Sequence, residues 1–212
     1  MHRIIVLTVI CFSILLSGCA TPKKDMSAFY AHKPRSILVV PVLNESPEVS
    51  ASPVFISTIT KPLAERGYYV FPVYLTSLIL RDFGLSEAGH IHQLSPHRLY
   101  ELFGADSVLF VVIKDWSSKY ILLQSTVAVE MDYELRDTKT GIVLWQANQR
   151  VVQGSGGGGG LVGMAVMAAV NALFTDYRPL AREANRLVFI PPKGLPAGPY
   201  HIDYGKDQDK FK

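Results

Sequence analysis

Residues 36–190 of this 212-residue chain predict one mixed α/β domain, a parallel β-α-β core extended by an antiparallel hairpin, with helices on the sheet faces. Three observations predict it. Solid apolar runs at residues 36–43 (SILVVPVL) and 107–113 (SVLFVVI) suit strands buried on both faces, as in parallel sheets. Between them, stretches with helical apolar spacing alternate with a further strand, which favours parallel strands joined by crossover helices. After residue 126 the apolar period changes to two, the mark of a strand with one buried and one solvated face.

Taken in order, residues 19–35 are short and polar, carry Lys23, Lys24 and Pro34, and read as a tether. Pro41 places the first strand near a sheet edge or at a bulge, because proline cannot donate to the ladder. Ser52-Pro53 offers an N-cap followed by proline at the first helical position. Val54, Phe55, Ile56, Ile59 and Leu63 supply the helical stripe, Pro62 should kink it, and Gly67 is a natural stop. Residues 68–73 read as the second strand and 75–83 as a short helix. Ser95-Pro96 repeats the cap-and-proline signal, opening a helix through Phe103 that Gly104 ends. Val127, Val129, Met131, Tyr133 and Leu135 then alternate with Thr126, Ala128, Glu130, Asp132 and Glu134. Residues 137–141 (DTKTG) form a turn, and 142–153 return as the antiparallel partner. Residues 154–160 (GSGGGGG) break the pattern, 161–187 read as a long helix, and 191–212 are a Pro/Gly-rich C-terminal tail.

The glycine run contains Gly154, Gly156 and Gly159 in G-x-G-x-x-G spacing, which elsewhere lets backbone N–H groups approach a phosphate at a helix N-terminus. Any polyglycine matches that pattern. No Lys-Ser/Thr pair follows, the preceding strand belongs to a hairpin, and no later parallel strand supplies a ribose-binding acid. A flexible hinge is the expectation, with no nucleotide or other cofactor. Behind it, Leu161, Val162, Met164, Val166, Met167, Val170, Leu173 and Phe174 stand among Gly163, Ala165, Ala168, Ala169 and Ala172. The segment is shorter than the roughly 20 residues needed to span a bilayer. A helix apolar all round is either packed in its own core or covered by a partner. These large residues are the candidate interaction surface, and dimerisation through them is expected. Residues 177–186 turn charged, so the helix should run from a hidden end to a wet one.

Glu130, Asp132 and Glu134 share one strand face and could hold a hard cation or act as acid and base. Same-face neighbours on a strand lie almost 7 Å apart, however, and no further ligand accompanies them. A solvated face, partly offset by Arg150 on the return strand, is the expectation. His90, His92 and His97 (HIHQLSPH) lack any cysteine or acidic cluster at ligand spacing and read as loop histidines without a metal. No nucleophile–base pair is recognisable, so the chain is expected not to be an enzyme. Removing Arg3 with the signal takes the formal charge from +3 to +2, too small for a nucleic-acid surface.

The N-terminus has the anatomy of a processed leader. His2 and Arg3 give a basic end, residues 4–16 an apolar run too short to span a bilayer, and Leu16-Ser17-Gly18-Cys19 a lipoprotein box. Residues 1–18 are the expected signal peptide, cut between Gly18 and Cys19. Cys19 is then the first mature residue and the carrier of covalent lipid, palmitate included. Each buried methylene contributes about 0.8 kcal/mol, so a multiply acylated cysteine anchors durably. Cys11 leaves with the leader, so the mature chain has no second thiol for a disulfide. Ala20, where aspartate is absent, favours sorting to the outer membrane with the domain facing the periplasm, by resemblance to lipoproteins of Gram-negative bacteria.

Residues 36–44 (SILVVPVLN), 60–73 (TKPLAERGYYVFPV), 102–106 (LFGAD) and 195–201 (LPAGPYH) together resemble a family of bacterial lipoproteins of unknown function. The resemblance covers essentially the whole mature chain. It implies a fold similar to the N-terminal domain of the TolB translocation protein and an association with lipoproteins resembling CsgG, the curli secretion channel. It supplies no catalytic residues. The expected function is a non-enzymatic outer-membrane lipoprotein, accessory to an envelope transport or secretion assembly. Its partners would be the membrane and either a second copy or a CsgG-like lipoprotein. The alternatives are a periplasmic binding module for a small ligand or envelope polymer, with Tyr68, Tyr69 or Trp116 in its pocket, and, third, an envelope hydrolase.

Overall fold

The computed structural model describes residues 25–121, 124–154 and 177–211. Gly18, Cys19 and the whole candidate interaction surface (Leu161, Val162, Met164, Val166, Met167, Val170, Leu173, Phe174) lie outside these residues, as does the glycine run beyond Gly154. The described elements run α1 (Ser27–His32), β1 (Ser36–Val39), β2 (Leu43–Asn44), α2 (Ala51–Glu65), β3 (Tyr69–Val70), α3 (Val73–Asp82), α4 (Ala88–His92) and α5 (Pro96–Phe103). Then follow β4 (Ser107–Ile121), β5 (Gln124–Asp137), β6 (Val143–Gly154), α6 (Arg178–Val188) and a short 3-10 turn, Gln208–Phe211. They form the mixed α/β domain that the sequence predicts. The sheet order is β3-β1-β4-β5-β6, with β2 also on β4. Strand β1 lies parallel to β3 and β4, while β4-β5-β6 is an antiparallel meander.

Pro41 acts as expected of a strand proline. Val39 pairs with Leu109 and Leu43 with Val112, so Val40, Pro41 and Val42 oppose only Phe110 and Val111. The extra residue is a bulge that splits the expected first strand into β1 and β2. The second strand is shorter than 68–73. Phe71 N–H still reaches the Ile37 carbonyl at 3.2 Å, but Pro72 has no N–H and caps α3 instead.

Helix α2 opens two residues before the expected Ser52 cap. Glu48 Oε1 accepts from both the N–H and the hydroxyl of Ser50, at 3.0 and 2.7 Å, which fixes Ser50 as the N-cap. Pro53 then falls in the first turn, where the N–H has no intrahelical partner, and the helix continues through Pro62. Ser95 caps α5 as expected, and Gly104 ends it at φ 69°.

Three expectations are corrected. The end of the segment expected as a tether is folded: Met26 and Phe29 are buried in the main core, and α1 packs beside β6. Their apolar side chains are too few to show as a periodic signal. His90 and His92 stand on helix α4, not in a loop, and His97 is on α5. Helix α6 is wet on one face only: Leu180, Ala181, Ala184, Asn185 and Val188 are buried, while Arg178, Arg182 and Arg186 stay exposed. Strand β4 also runs well past the apolar stretch, because a register shift between Ile113 and Asp115 returns Trp116 to the core face.

Alternation along β4 divides the core between two faces. Leu109, Val111 and Ile113 meet α2 and α6 through Phe55, Ile59, Leu63, Ala181 and Ala184. Val108 and Phe110 meet α3, α4 and α5 through Leu80, Ile91 and Leu99. The second helical layer does not extend across β5 and β6, whose residues on that face are charged and polar. That mismatch leaves a groove. Among the described residues no helix is long and apolar enough to cross a membrane.

Candidate functional site

The groove has a volume of about 720 Å³ and lies between the α4–α5 connection and the polar face of β5 and β6. Period-two alternation aims Asp132 and Glu134 into it, with Glu130 next along the same face. Hairpin register then sets a partner opposite each acid: Arg150 faces Glu130, Asn148 faces Asp132 and Gln146 faces Glu134. The turn at 137–141 holds that register. Asp137 Oδ1 accepts from the N–H groups of Lys139 and Thr140 at 3.0 and 2.7 Å and from the Thr140 hydroxyl at 2.8 Å.

Every one of the three carboxylates is engaged. Asn148 Nδ2 donates to Asp132 at 2.7 Å and to Glu130 at 3.1 Å. Arg150 donates to Glu130 and approaches Asp115 at 3.4 Å. Glu134 accepts from Gln146 and from Arg136. The hydrogen bonds from Arg150 and then Asn148 hold the Glu130 carboxyl below the usual glutamate range. A general acid needs the opposite shift.

The other wall holds His92. Its Nε2 donates to the Pro41 carbonyl at 3.0 Å, and its ring meets Phe110 edge-on at 5.2 Å. Burial lowers its pKa, so the imidazole is neutral at pH 7 with its Nε2 proton committed to the backbone. His97 lies instead on the exposed side of α5, 3.7 Å from Glu101. The structure therefore separates the histidines that the sequence lists together. Among the described residues no three His, Cys, Asp or Glu side chains are grouped to hold a metal ion.

Tyr68, Tyr69 and Trp116 have separate surroundings among the described residues. Tyr68 is buried and donates to the Pro196 carbonyl at 2.6 Å, Tyr69 is half exposed against Phe71, and Trp116 packs against Tyr177. Sequence reasoning found the acids of the groove but missed Gln93, Ser95, Gln146 and Asn148. The last two were accessible from the register alone, since they occupy alternate positions of the return strand opposite the acids. The α4–α5 wall carried no comparable signal.

A family model described as "Putative lipoprotein GNA1162-like" matches residues 24–188. A protein of Neisseria meningitidis serogroup B, "Putative lipoprotein NMB1124/NMB1162", is 36% identical over 164 residues, 76% of this chain and 76% of that one. The crystal structure of lipoprotein GNA1162 from Neisseria meningitidis is similar with a TM-score of 0.56 at 36% identity, covering 68% of this chain and 100% of that chain.

Proposed function

This chain belongs to the GNA1162-like lipoprotein family, and from that premise we propose that it is a non-catalytic outer-membrane lipoprotein, facing the periplasm, accessory to a transport or secretion assembly. The observation that carries the reading is the state of the groove. Its acids are hydrogen-bonded by amides and arginines, and its histidine is tied to the backbone. Such a surface recognises a partner through shape and charge and has no group poised to move a proton. The Leu16-Ser17-Gly18-Cys19 box supplies the anchor, with Cys19 acylated and membrane binding delegated to it. Residues 161–174 then serve protein contact, either with a second copy or with a CsgG-like lipoprotein, the partner that the sequence resemblance suggests.

The test is mild crosslinking in native membranes followed by copurification, together with light scattering of the detergent-solubilised chain. Recovery in a defined envelope complex, with the oligomeric mass changed by Met164→Glu and Met167→Glu, supports the reading. A chain recovered alone, with the same mass before and after substitution, overturns it. The groove's size favours a second reading, a module that binds an envelope polymer along β5 and β6; polymer retention by the isolated monomer would select it.

A further inference from the structure

The two edges of the sheet are not built alike. Strand β3, at one end, is two residues long, and Pro72 soon after it has no N–H to offer a further strand. Strand β6, at the other end, runs from Val143 to Gly154, and no strand lies beyond it among the described residues. Folded proteins ordinarily blunt such an edge with lysine, proline, a bulge or brevity. Residues 143–154 (VLWQANQRVVQG) hold neither lysine nor proline. The one bulge lies at the start of the strand, where Leu135 pairs with Trp145 but Arg136 with Val143; from Trp145 to Gly154 the register on β5 is unbroken. Helices α1 and α6 meet β6 through the main core, on one face of the strand. On the other face Gln146, Asn148, Arg150 and Val152 are exposed.

The regular part of this edge is complementary to itself. Two copies of β6 related by a two-fold axis normal to the sheet run antiparallel, with core face beside core face and polar face beside polar face. Opposed residues then point to the same side, so the axis passes through a residue. An axis at Arg150 sets like charges directly opposite each other. An axis at Ala147 sets Trp145 against Gln149, and one at Gln149 sets Val152 against Gln146. An axis at Asn148 sets Trp145 against Val151 and Ala147 against Gln149 on the core face, and Gln146 against Arg150 and Asn148 against Asn148 on the polar face. Arg150 is answered within its own copy by Glu130 and, at 3.4 Å, by Asp115. In this register the two Arg150 residues stand four positions apart along the strands, about 14 Å, beyond the Debye length of about 8 Å.

We infer that the β6 edge is where a second copy of this chain docks, by antiparallel strand addition centred on Asn148. Main-chain groups supply the hydrogen bonds, and the two side-chain rows fix the register. The match of each row with itself selects a second copy over a foreign strand. The sheet then continues through the pair, with both acidic grooves on one side and Gln146 and Asn148, which line each groove, at the seam. This contact is separate from the one assigned above to residues 161–174, and it leaves that segment to the CsgG-like partner.

The test is disulfide linking by register. The chain from residue 19 onward, carrying Cys19→Ser, has no thiol, so an added Asn148→Cys is the single cysteine. Mild oxidation should link two copies through it, because opposed residues on antiparallel strands have Cα atoms about 4.5–5.5 Å apart, within disulfide reach. Gln146→Cys or Arg150→Cys alone should link several-fold more slowly, while a mixture of the two should link one to the other. Val49→Cys, exposed and off the strand, gives the rate of chance collision. Light scattering of the thiol-free chain should give the mass of two copies. A single-copy mass at every concentration, an Asn148→Cys rate no greater than that of Val49→Cys, or faster self-linking of Gln146→Cys overturns the inference. Met164→Glu with Met167→Glu should leave the Asn148→Cys link intact, whatever it does to the contact of residues 161–174. Loss of the link in that variant at unchanged Tm places the pairing in that segment and overturns the inference as well.

Discussion

Asn185 shows how much one polar side chain can hold in this core. It is completely buried, accepts from the Tyr133 hydroxyl at 2.7 Å and donates to Thr58 Oγ1 at 2.9 Å. Thr58 in turn donates to the Phe55 carbonyl at 2.8 Å. The chain of hydrogen bonds ties α6 and α2 to β5 through the sheet's main core. Burial holds the Tyr133 hydroxyl far above its usual pKa, so it stays a neutral donor and needs an acceptor. Asn185→Ala removes that acceptor and is expected to lower stability by about 1–3 kcal/mol, read from the urea midpoint. Adding Tyr133→Phe should recover part of the loss, because the stranded hydroxyl leaves with it. Nothing in the sequence distinguishes Asn185 from the solvated residues beside it. Its role depends on which face of α6 turns inward, and a segment rich in arginine reads as wet.

At the scale of elements, the docking of the C-terminal segment onto the end of α2 depends on backbone contact. The Gly198 N–H donates to the Arg66 carbonyl at 2.7 Å, and the Tyr200 N–H to the Gly67 carbonyl at 3.0 Å. Arg66 reaches back to the Leu195 carbonyl, and Tyr68 to Pro196. A Cβ on Gly198 would stand 2.3 Å from the Gly67 oxygen, and Gly67 itself sits at φ 83°. Gly198→Ala is therefore expected to cost about 1–3 kcal/mol, the usual penalty of overpacking a closed contact. Limited proteolysis should then cut after residue 194 far faster than in the parent chain. The sequence announced Gly67 as a helix stop, and it is one. That the same glycine is also the landing site of the tail was invisible, because two segments more than a hundred residues apart must meet before the space between them closes.

For the whole molecule, the ionisable groups make stability fall on acidification in two stages. Burial lowers the His92 pKa, so between its folded value and the ordinary one near 6.5 the unfolded chain binds the extra proton. The contribution is present above about pH 6.5 and is lost as pH falls through the folded value. Glu130, held down by Arg150 and Asn148, adds a second loss below about pH 4.3, where the unfolded chain protonates first. Urea midpoints measured from about pH 8 to about pH 2.5 should fall in that order. His92→Gln keeps a donor for the Pro41 carbonyl and should flatten the first stage while sparing the second.

What the sequence determined by itself is local or periodic: the lipoprotein box, the alternation of β5, the turn at 137–141, the cap at Ser95 and the mixed α/β class. Each depends on residues within a few positions of one another, where backbone sterics and hydrogen-bonding geometry act without a partner segment. Only the tertiary structure decided that the acids of β5 face a groove with His92 across it, and that β6 ends the sheet. It also decided that Met26 and Phe29 belong to the core. Those outcomes depend on which distant surfaces exclude water together, a property of the closed fold that no window of sequence contains.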